Sequence, residues 1–465
     1  MKKKISYRIE EDSLGKVKVP KDALYGAQTQ RALNNFQIDS EPFQLVFIQQ
    51  LASLKGACAI ANYKSKLMTG KLSKAIYQSA IDISKNIFDY RNQFLVSIYQ
   101  TGSGTSTNMN MNEVLANLVK KKVRQKIHPN DDINKSQSSN DVIPSTINIC
   151  CSLLAENLSR TILNLCAVII KKGYENKDVI KSGRTHLMDA VPLSFEQELL
   201  TWGLQLGNCG DDLNWFIDEC ELLPIGGTAI GTGINAPKRF GKDVCLELNK
   251  ITKSSYDTNI KFESINPNER GSMISSQDHI LAMSGALLRT SSSLTKICND
   301  LRWMNSGPIS GLSEITLKPL QPGSSIMPGK INPVILESIL MAAAKVVGNH
   351  QTITTACLSG NFQLNTMLPI IAHSIIDSFY LLTNSCSSLI KVVETFKVNT
   401  ENIKQNLEKN PVVATKLNEI IGYDLAAKIV KEAYKSNKSI IDVAERMTNL
   451  SKSQLKKLFD PKKLI

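Results

Sequence analysis

Residues Gly323-Ser324-Ser325-Ile326-Met327-Pro328-Gly329-Lys330-Ile331-Asn332-Pro333 put two adjacent hydroxyls, a lysine and an amide among glycines and prolines. Such a mixture marks a loop, and small polar residues held between glycines can approach a ligand closely. A cation followed two positions later by an amide, Lys330 and Asn332, suits a carboxylate or a phosphate. By composition alone an ordinary surface loop is the plainer account, so the rest of the chain has to decide.

Four other stretches rich in glycine and hydroxyls fall at the ends of long helical patterns: residues 102–107, 136–140, 182–186 and 226–233. Helix N-termini with free N–H groups beside Ser, Thr and Asn favour anions. Two cofactor loops are excluded by spacing. A P-loop needs four residues between its glycines and Ser or Thr after the lysine, whereas five separate Gly323 from Gly329 and Ile331 follows Lys330. Gly226-Gly227-Thr228-Ala229-Ile230-Gly231-Thr232-Gly233 lacks the dinucleotide spacing and follows a helical pattern rather than a strand. Taken singly, His186 is equally a structural histidine, Glu337 a solvated helical carboxylate and Ser324 a turn residue. Serine becomes a base only where a cation and N–H groups stabilise its alkoxide, which Lys330 could help to provide.

With 465 residues, 42% hydrophobic and 21% charged, the chain reads as a globular protein of two or three domains. The basic start, Lys2-Lys3-Lys4, runs into Glu10, Glu11 and Asp12 where a signal peptide needs an apolar run. No stretch is expected to reach the length of a membrane span, and a cytoplasmic location follows by default. The ten cysteines include no C-x-x-C and lie mainly in apolar segments, so they read as reduced core residues. Five scattered histidines give no zinc-ligand spacing, and no metal site is expected. The net charge of +13 is spread widely with 6% aromatics, which fits anionic substrates better than nucleic acid.

The elements that would hold these loops are mostly helices. Residues 5–40 read as an extended arm with turns. Apolar residues recurring at three and four predict helices over 43–62, 71–89 and 111–126. Ser138-Ser139-Asn140-Asp141 forms an N-cap cluster, with Pro144 placed in the first turn. Long helical patterns then cover 138–170, 195–222, 272–305, 333–358 and 364–396, which predicts a bundle of five long helices nearly without strands. Several are apolar on more than one face, as Ile335, Leu336, Ile339, Leu340, Val346 and Val347 illustrate. One bundle cannot cover that much apolar surface, so a large helix-on-helix subunit interface is expected. The domains expected are 1–138, with anion-binding loops; 139–396, the bundle; and 397–465, small and helical.

At these loops the sequence resembles the fumarase/aspartase superfamily of lyases. Residues 323–333 match its signature loop, G-S-S-x-M-P-x-K-x-N-P, and residues 102–112, 134–141, 183–190 and 226–235 match in order. The likeness runs from Arg8 to Gly422-Tyr423-Asp424. It implies a mainly α fold whose central bundles assemble into a twenty-helix tetramer core, with each active site built from three subunits and with no cofactor. His128-Pro129-Asn130-Asp131-Asp132, Trp303 and Gly360-Asn361-Phe362-Gln363-Leu364-Asn365 resemble class II fumarases. Leu320-Gln321-Pro322, Ile309 and Asn349-His350 are less characteristic of them. The implied activity is reversible hydration of fumarate to (S)-malate in the tricarboxylic acid cycle. Release of ammonia from aspartate is the alternative within the superfamily, and a catalytically silent binding protein is the alternative outside enzymology.

Carried over by position, the resemblance implies that Ser324 removes the proton next to a carboxylate. Ser325, Lys330, Ile331 and Asn332 would hold the carboxylate that becomes a doubly charged aci-carboxylate. Thr105, Ser139, Asn140 and Thr185 would hold the other end, in a pocket shaped by Ser103, Gly104 and Ser138. His186, paired with Glu337, would position the water. A second dicarboxylate site would involve His128, Pro129, Asn130 and Asp131, although the arginine expected three residues before the histidine is Gln125 here, with Arg124 beside it.

Overall fold

The computed structural model describes residues 6–410, 414, 417–436 and 438–460. The expected extended arm is an antiparallel hairpin, β1 (Tyr7–Asp12) and β2 (Gly15–Pro20), followed by a helix, α1 (Ala27–Asn35). No local pattern announces α1, because its cap comes from elsewhere in the chain. The buried Glu113 carboxylate accepts from the N–H groups of Gly26, Gln28 and Thr29 at 2.8–3.0 Å. The helices α2 (Leu45–Lys64) and α3 (Gly70–Lys85, capped by the Thr69 hydroxyl) fall close to expectation, with a short α4 (Ile87–Tyr90) after them.

Then follow α5 (Thr105–Val123), α6 (Ser139–Glu175), a second hairpin of β3 (Ile180–Thr185) and β4 (Met188–Ser194), α7 (Phe195–Glu221) and α8 (Phe240–Ser255). Next come α9 (Arg270–Ser275), α10 (Asp278–Met304), α11 (Val334–Cys357) and α12 (Leu368–Thr395). The C-terminal helices are α13 (Thr400–Lys409), α14 (Asn418–Ile421), α15 (Tyr423–Ser436), α16 (Ile440–Met447) and α17 (Lys452–Leu458).

Three expectations about the helices' course need correction. The helix expected from 111 starts at Thr105, because Gly104 takes φ +71° and turns the chain directly into it. The pattern expected to run unbroken from 272 breaks after Ser275. Ser276 is extended there and its hydroxyl donates to the Asp278 carboxylate at 2.7 Å, a local bond that competes with the helix. Pro144 lies inside α6 rather than in its first turn, so it removes the amide that would bond the Asn140 carbonyl.

The five long helices, α6, α7, α10, α11 and α12, form the bundle. By internal packing the chain falls into two units. One draws on the described residues up to Ser159, with Asp211–Arg289 and Ala344–Leu382; the other on Arg160–Gly210, Thr290–Ala343 and the described residues from Thr383 onward. In the first unit α2 packs on α3 and α8, with Phe47, Leu51, Leu54, Ala57 and Cys58 sealed from solvent. Each such large apolar side chain contributes about 1.5–3 kcal/mol by leaving water. In the second, Leu199, Trp202, Leu206, Leu294, Leu301 and Leu389 are equally buried, and Leu417, Ile429, Val443, Leu455 and Phe459 form a C-terminal core against which Ile180 of β3 packs.

Among the described residues no disulfide joins the ten cysteines, and all but the half-buried Cys357 are buried. Some long-helix residues remain open to solvent, among them Leu163, Leu204, Met341 and Val347. The expectation that nothing reaches the length of a membrane span is corrected by α6, which is long and apolar enough by length and composition. A core helix of a soluble protein passes the same test, and residues 141–152 of this one are buried.

Candidate active site

In the first unit, two helix N-termini present hydroxyls to each other. Gly102 lets the chain into α5. A Cβ there would sit 1.8 Å from the Thr366 carbonyl oxygen, and the Gly102 carbonyl accepts from Leu368 N–H at 2.9 Å. Ser103, nearly buried, has its Oγ 2.8 Å from Thr105 Oγ1, which in turn lies 2.7 Å from Ser139 Oγ at the start of α6. The Asn140 backbone N–H donates to Ser138 Oγ at 3.2 Å, and the Asn140 side chain donates to the Ala229 carbonyl at 2.8 Å. Ser103, Gly104, Thr105, Ser138, Ser139 and Asn140 are thus brought together at the positive ends of two long helices. That arrangement is suited to one carboxylate.

The Thr105 turn rests on a polar interior that the sequence pattern does not reveal. Asn108 and Asn112 of α5 are buried and both donate to Asn134 Oδ1, at 3.2 and 3.1 Å. Lys55 of α2 donates to the same oxygen at 2.9 Å. Lys55 falls four residues after Leu51 and three before Cys58, squarely in the apolar stripe, and that misplaced charge was the available signal.

In the second unit, Thr185 and His186 lie on the tip of the β3–β4 hairpin, where no strand was expected. Thr185 pairs with Met188, so His186 and Leu187 are the whole turn, with φ +54° and +61°. Such a turn normally takes Asn-Gly, and two side-chain-bearing residues in the left-handed region store strain of the kind that collects at functional sites. Both are exposed. The hairpin is held from behind by ions. Buried Lys181 lies 2.6 Å from both Glu198 and Glu314, and Arg184 lies 2.7 Å from the other oxygen of Glu314. Burial raises the Glu198 carboxyl, with Lys181 opposing it. Asn410 adds bonds to Ser182 Oγ and the Ala190 carbonyl at 2.9 and 3.1 Å.

The 323–333 loop closes on itself in the same unit. Gly323 N–H donates to the Lys330 carbonyl at 2.9 Å and the Asn332 side chain donates to the Gly323 carbonyl at 3.0 Å. A Cβ on Gly323 would meet that Lys330 oxygen at 2.5 Å, so glycine is required by the closure itself. Ser324 Oγ accepts from Ile326 N–H at 3.2 Å, a bond that would strengthen on an alkoxide. Lys330, Ile331, Asn332 and Glu337 line a cavity of about 600 Å³ together with Trp303. Ser324 and Ser325 are outside that lining. Glu337 lies in the first turn of α11, and among the described residues no hydrogen bond or ion pair joins it to His186 within one chain.

His128 begins a single wide helical turn, Pro129–Ile133. Its Nδ1 accepts from Asp131 N–H at 3.2 Å, and its own N–H donates to Asp132 at 2.8 Å. His128, Pro129 and Asn130 border a cavity of about 1010 Å³ that is also lined by Lys120, Lys121 and Lys126, whereas Asp131 is not among its walls.

Residues 15–348 match the lyase family and residues 413–465 the fumarase C C-terminus. The chain is 45% identical over 457 residues to a class II fumarate hydratase of Xylella fastidiosa, covering 98% of this chain and 94% of the relative. It is 44% identical over 459 residues to a second class II fumarate hydratase, from Pseudomonas aeruginosa, covering 98% of each. Among solved structures, the class II fumarase of Schistosoma mansoni superposes with a TM-score of 0.93 at 35% identity over 98% of each chain.

Proposed function

The chain belongs to the class II fumarate hydratases of the fumarase lyase family, and from that premise we propose how its own residues hydrate fumarate reversibly to (S)-malate. The observation that carries the proposal is the linked pair Thr105 Oγ1–Ser139 Oγ at two helix N-termini. A carboxylate that keeps its charge throughout the reaction needs such a fixed cradle. Ser103, Gly104 and Ser138 shape it, Thr105, Ser139 and Asn140 donate to it, and Thr185 completes it.

The reacting end belongs to the loop. Starting from malate, Ser324 Oγ takes the proton from the carbon next to the second carboxylate, and the electron pair moves into that carboxylate to give an aci-dianion. Ser325, Lys330 and Asn332, with the backbone at Ile331, hold the developing charge, since a cation and N–H dipoles stabilise most where charge appears. The C–O bond then breaks and the hydroxyl leaves as water with a proton supplied at His186, which Glu337 holds in orientation. The reverse sequence adds water.

His186 and Glu337 do not meet within one chain, and long-helix residues such as Leu204, Met341 and Val347 stay exposed. Both support a homotetramer whose sites are shared between copies. A cytoplasmic location, with no membrane or nucleic-acid partner, is proposed from composition and charge. The turn at His128, Pro129, Asn130 and Asp131 is proposed as a second dicarboxylate site. With Gln125 in place of arginine, Lys121 and Lys126 supply its charge.

Ultraviolet absorbance of fumarate tests the reaction. Malate should generate fumarate without ammonia, and aspartate should generate none. Fumarate appearing only from aspartate would replace hydration by ammonia release.

A further inference from the structure

Two buried ions that this chemistry does not use grip the segment carrying Ser138, Ser139 and Asn140. Lys55, 1% exposed, donates to Asn134 Oδ1 at 2.9 Å and to Gln137 Oε1 at 3.0 Å. Asp141 is fully buried, and its carboxylate takes three backbone donors from two separate loops. Oδ1 accepts from Ser138 N–H at 2.9 Å, while Oδ2 accepts from Gly226 N–H at 3.0 Å and Thr228 N–H at 2.9 Å.

The second loop is shaped for that contact. Gly226 and Thr228 both have positive φ, +88° and +55°, so alternate N–H groups turn inward and form a small anion-binding concavity. One residue further, the Ala229 carbonyl accepts from the Asn140 side chain and thereby sets which way the Asn140 amide faces. Anchored by one N–H, that amide keeps its second N–H for a ligand. Asp141 therefore controls Asn140 from both sides: through the Ser138 backbone in sequence, and through the 226–229 loop in space.

Neither ion is explained by stability. Burial pushes Asp141 up to about 6 against the pull of its three N–H donors and Lys55, and burial depresses Lys55 to about 7 against Cys58 and Asp141. A well-packed apolar pair is often as stable as a buried ionic one, so what these charges contribute is the geometry they impose.

We infer that Lys55 and Asp141 are positioning residues that fix the Ser139 hydroxyl and the Asn140 amide for the non-reacting carboxylate of the substrate. The inference rests on the reading that this helix terminus holds that carboxylate. Because this carboxylate keeps its charge throughout, the grip acts equally on ground and transition states and should appear in KM rather than kcat.

Asp141→Asn keeps the shape but turns one acceptor oxygen into a donor facing N–H groups, so one side of the clamp must open. Steady-state hydration and calorimetric titration with succinate, an inert C4 dicarboxylate, give two constants. Both the fumarate KM and the succinate Kd should rise by about tenfold or more, with kcat changed far less. A folded variant with wild-type KM and Kd, or one that loses kcat at constant KM, overturns the inference. Should Asp141→Asn not fold, Lys55→Met is read on the same constants: it removes the other grip and leaves the Asp141 bonds whole, and wild-type values there overturn the inference equally. If the wild type neither hydrates fumarate nor binds succinate, the reading of the terminus falls and the inference with it. An active wild type beside unaffected variants sinks the inference alone.

Discussion

Around Thr105 and Ser139, each hydroxyl already has a partner, the glycines are pressed against other backbone, and the supporting side chains are buried. Around Ser324 the loop is tied mainly to itself, Ser325 and Lys330 are exposed, and no ion pair engages Lys330 among the described residues. The difference follows the chemistry asked of each region. A carboxylate that is only held can be met by a finished site, whose organisation is complete before binding. A carboxylate on which charge develops needs donors that reach it in the transition state, and those are the groups the single chain leaves open.

The sharpest way to break the comparison is Ser324→Ala. If the loop carries the base, kcat should fall by about 10³-fold or more, within reach of losing a positioned base and its stabilised alkoxide. The fumarate KM should change little, because the finished cradle still binds. A large rise in KM with modest loss of kcat would put Ser324 in binding instead.

Next in size is a pair of glycine substitutions. Gly102→Ala places a methyl group 1.8 Å from the Thr366 carbonyl, so backbone must move and stability should drop by about 3 kcal/mol. At Gly329 the φ of +84° meets open space, and alanine there should cost only about 1 kcal/mol, the penalty of the left-handed backbone. Thermal unfolding of both variants at one protein concentration separates them. Equal losses would mean that the loop is as tightly built as the cradle.

How much of this was legible in the sequence depends on where each signal came from. The long helices were readable because Leu, Ile and Val recur at helical spacing, and α7 and α11 begin and end within a residue or so of expectation. The loop at 323–333 was readable because Gly323 and Pro328 punctuate it. The Thr105 turn was misread as loop because its first residues are polar. Asn108, Asn110 and Asn112 are nonetheless buried, their side-chain N–H groups donating to Asn134 and the Gln93 carbonyl, and hydropathy cannot register that. The hairpin under His186 was hidden for another reason: its tight turn uses His-Leu where sequence rules look for Asn-Gly. Long-range partners such as Glu113 at α1 and Glu314 at Lys181 leave no local mark at all.

The smallest effect tests whether the cradle truly carries buried charge. With the folded value of Lys55 near 7 and an ordinary value of 10.5 when unfolded, the unfolded chain binds the extra proton between them. Stability therefore rises with pH across that window as the folded lysine goes neutral, the opposite sign from a lysine that gains a partner. Other groups titrate too, including Asp141 beside it, so the quantity to follow is the difference between wild type and Lys55→Met, where methionine cannot titrate. From pH 7 to 8 the wild type should gain about 1 kcal/mol relative to the variant in denaturant unfolding. A difference that stays flat would mean that Lys55 remains charged in the fold. The cradle would then be stabilised by its ion rather than burdened by it, and the contrast with the open Ser324 loop would lie in hydrogen bonding alone.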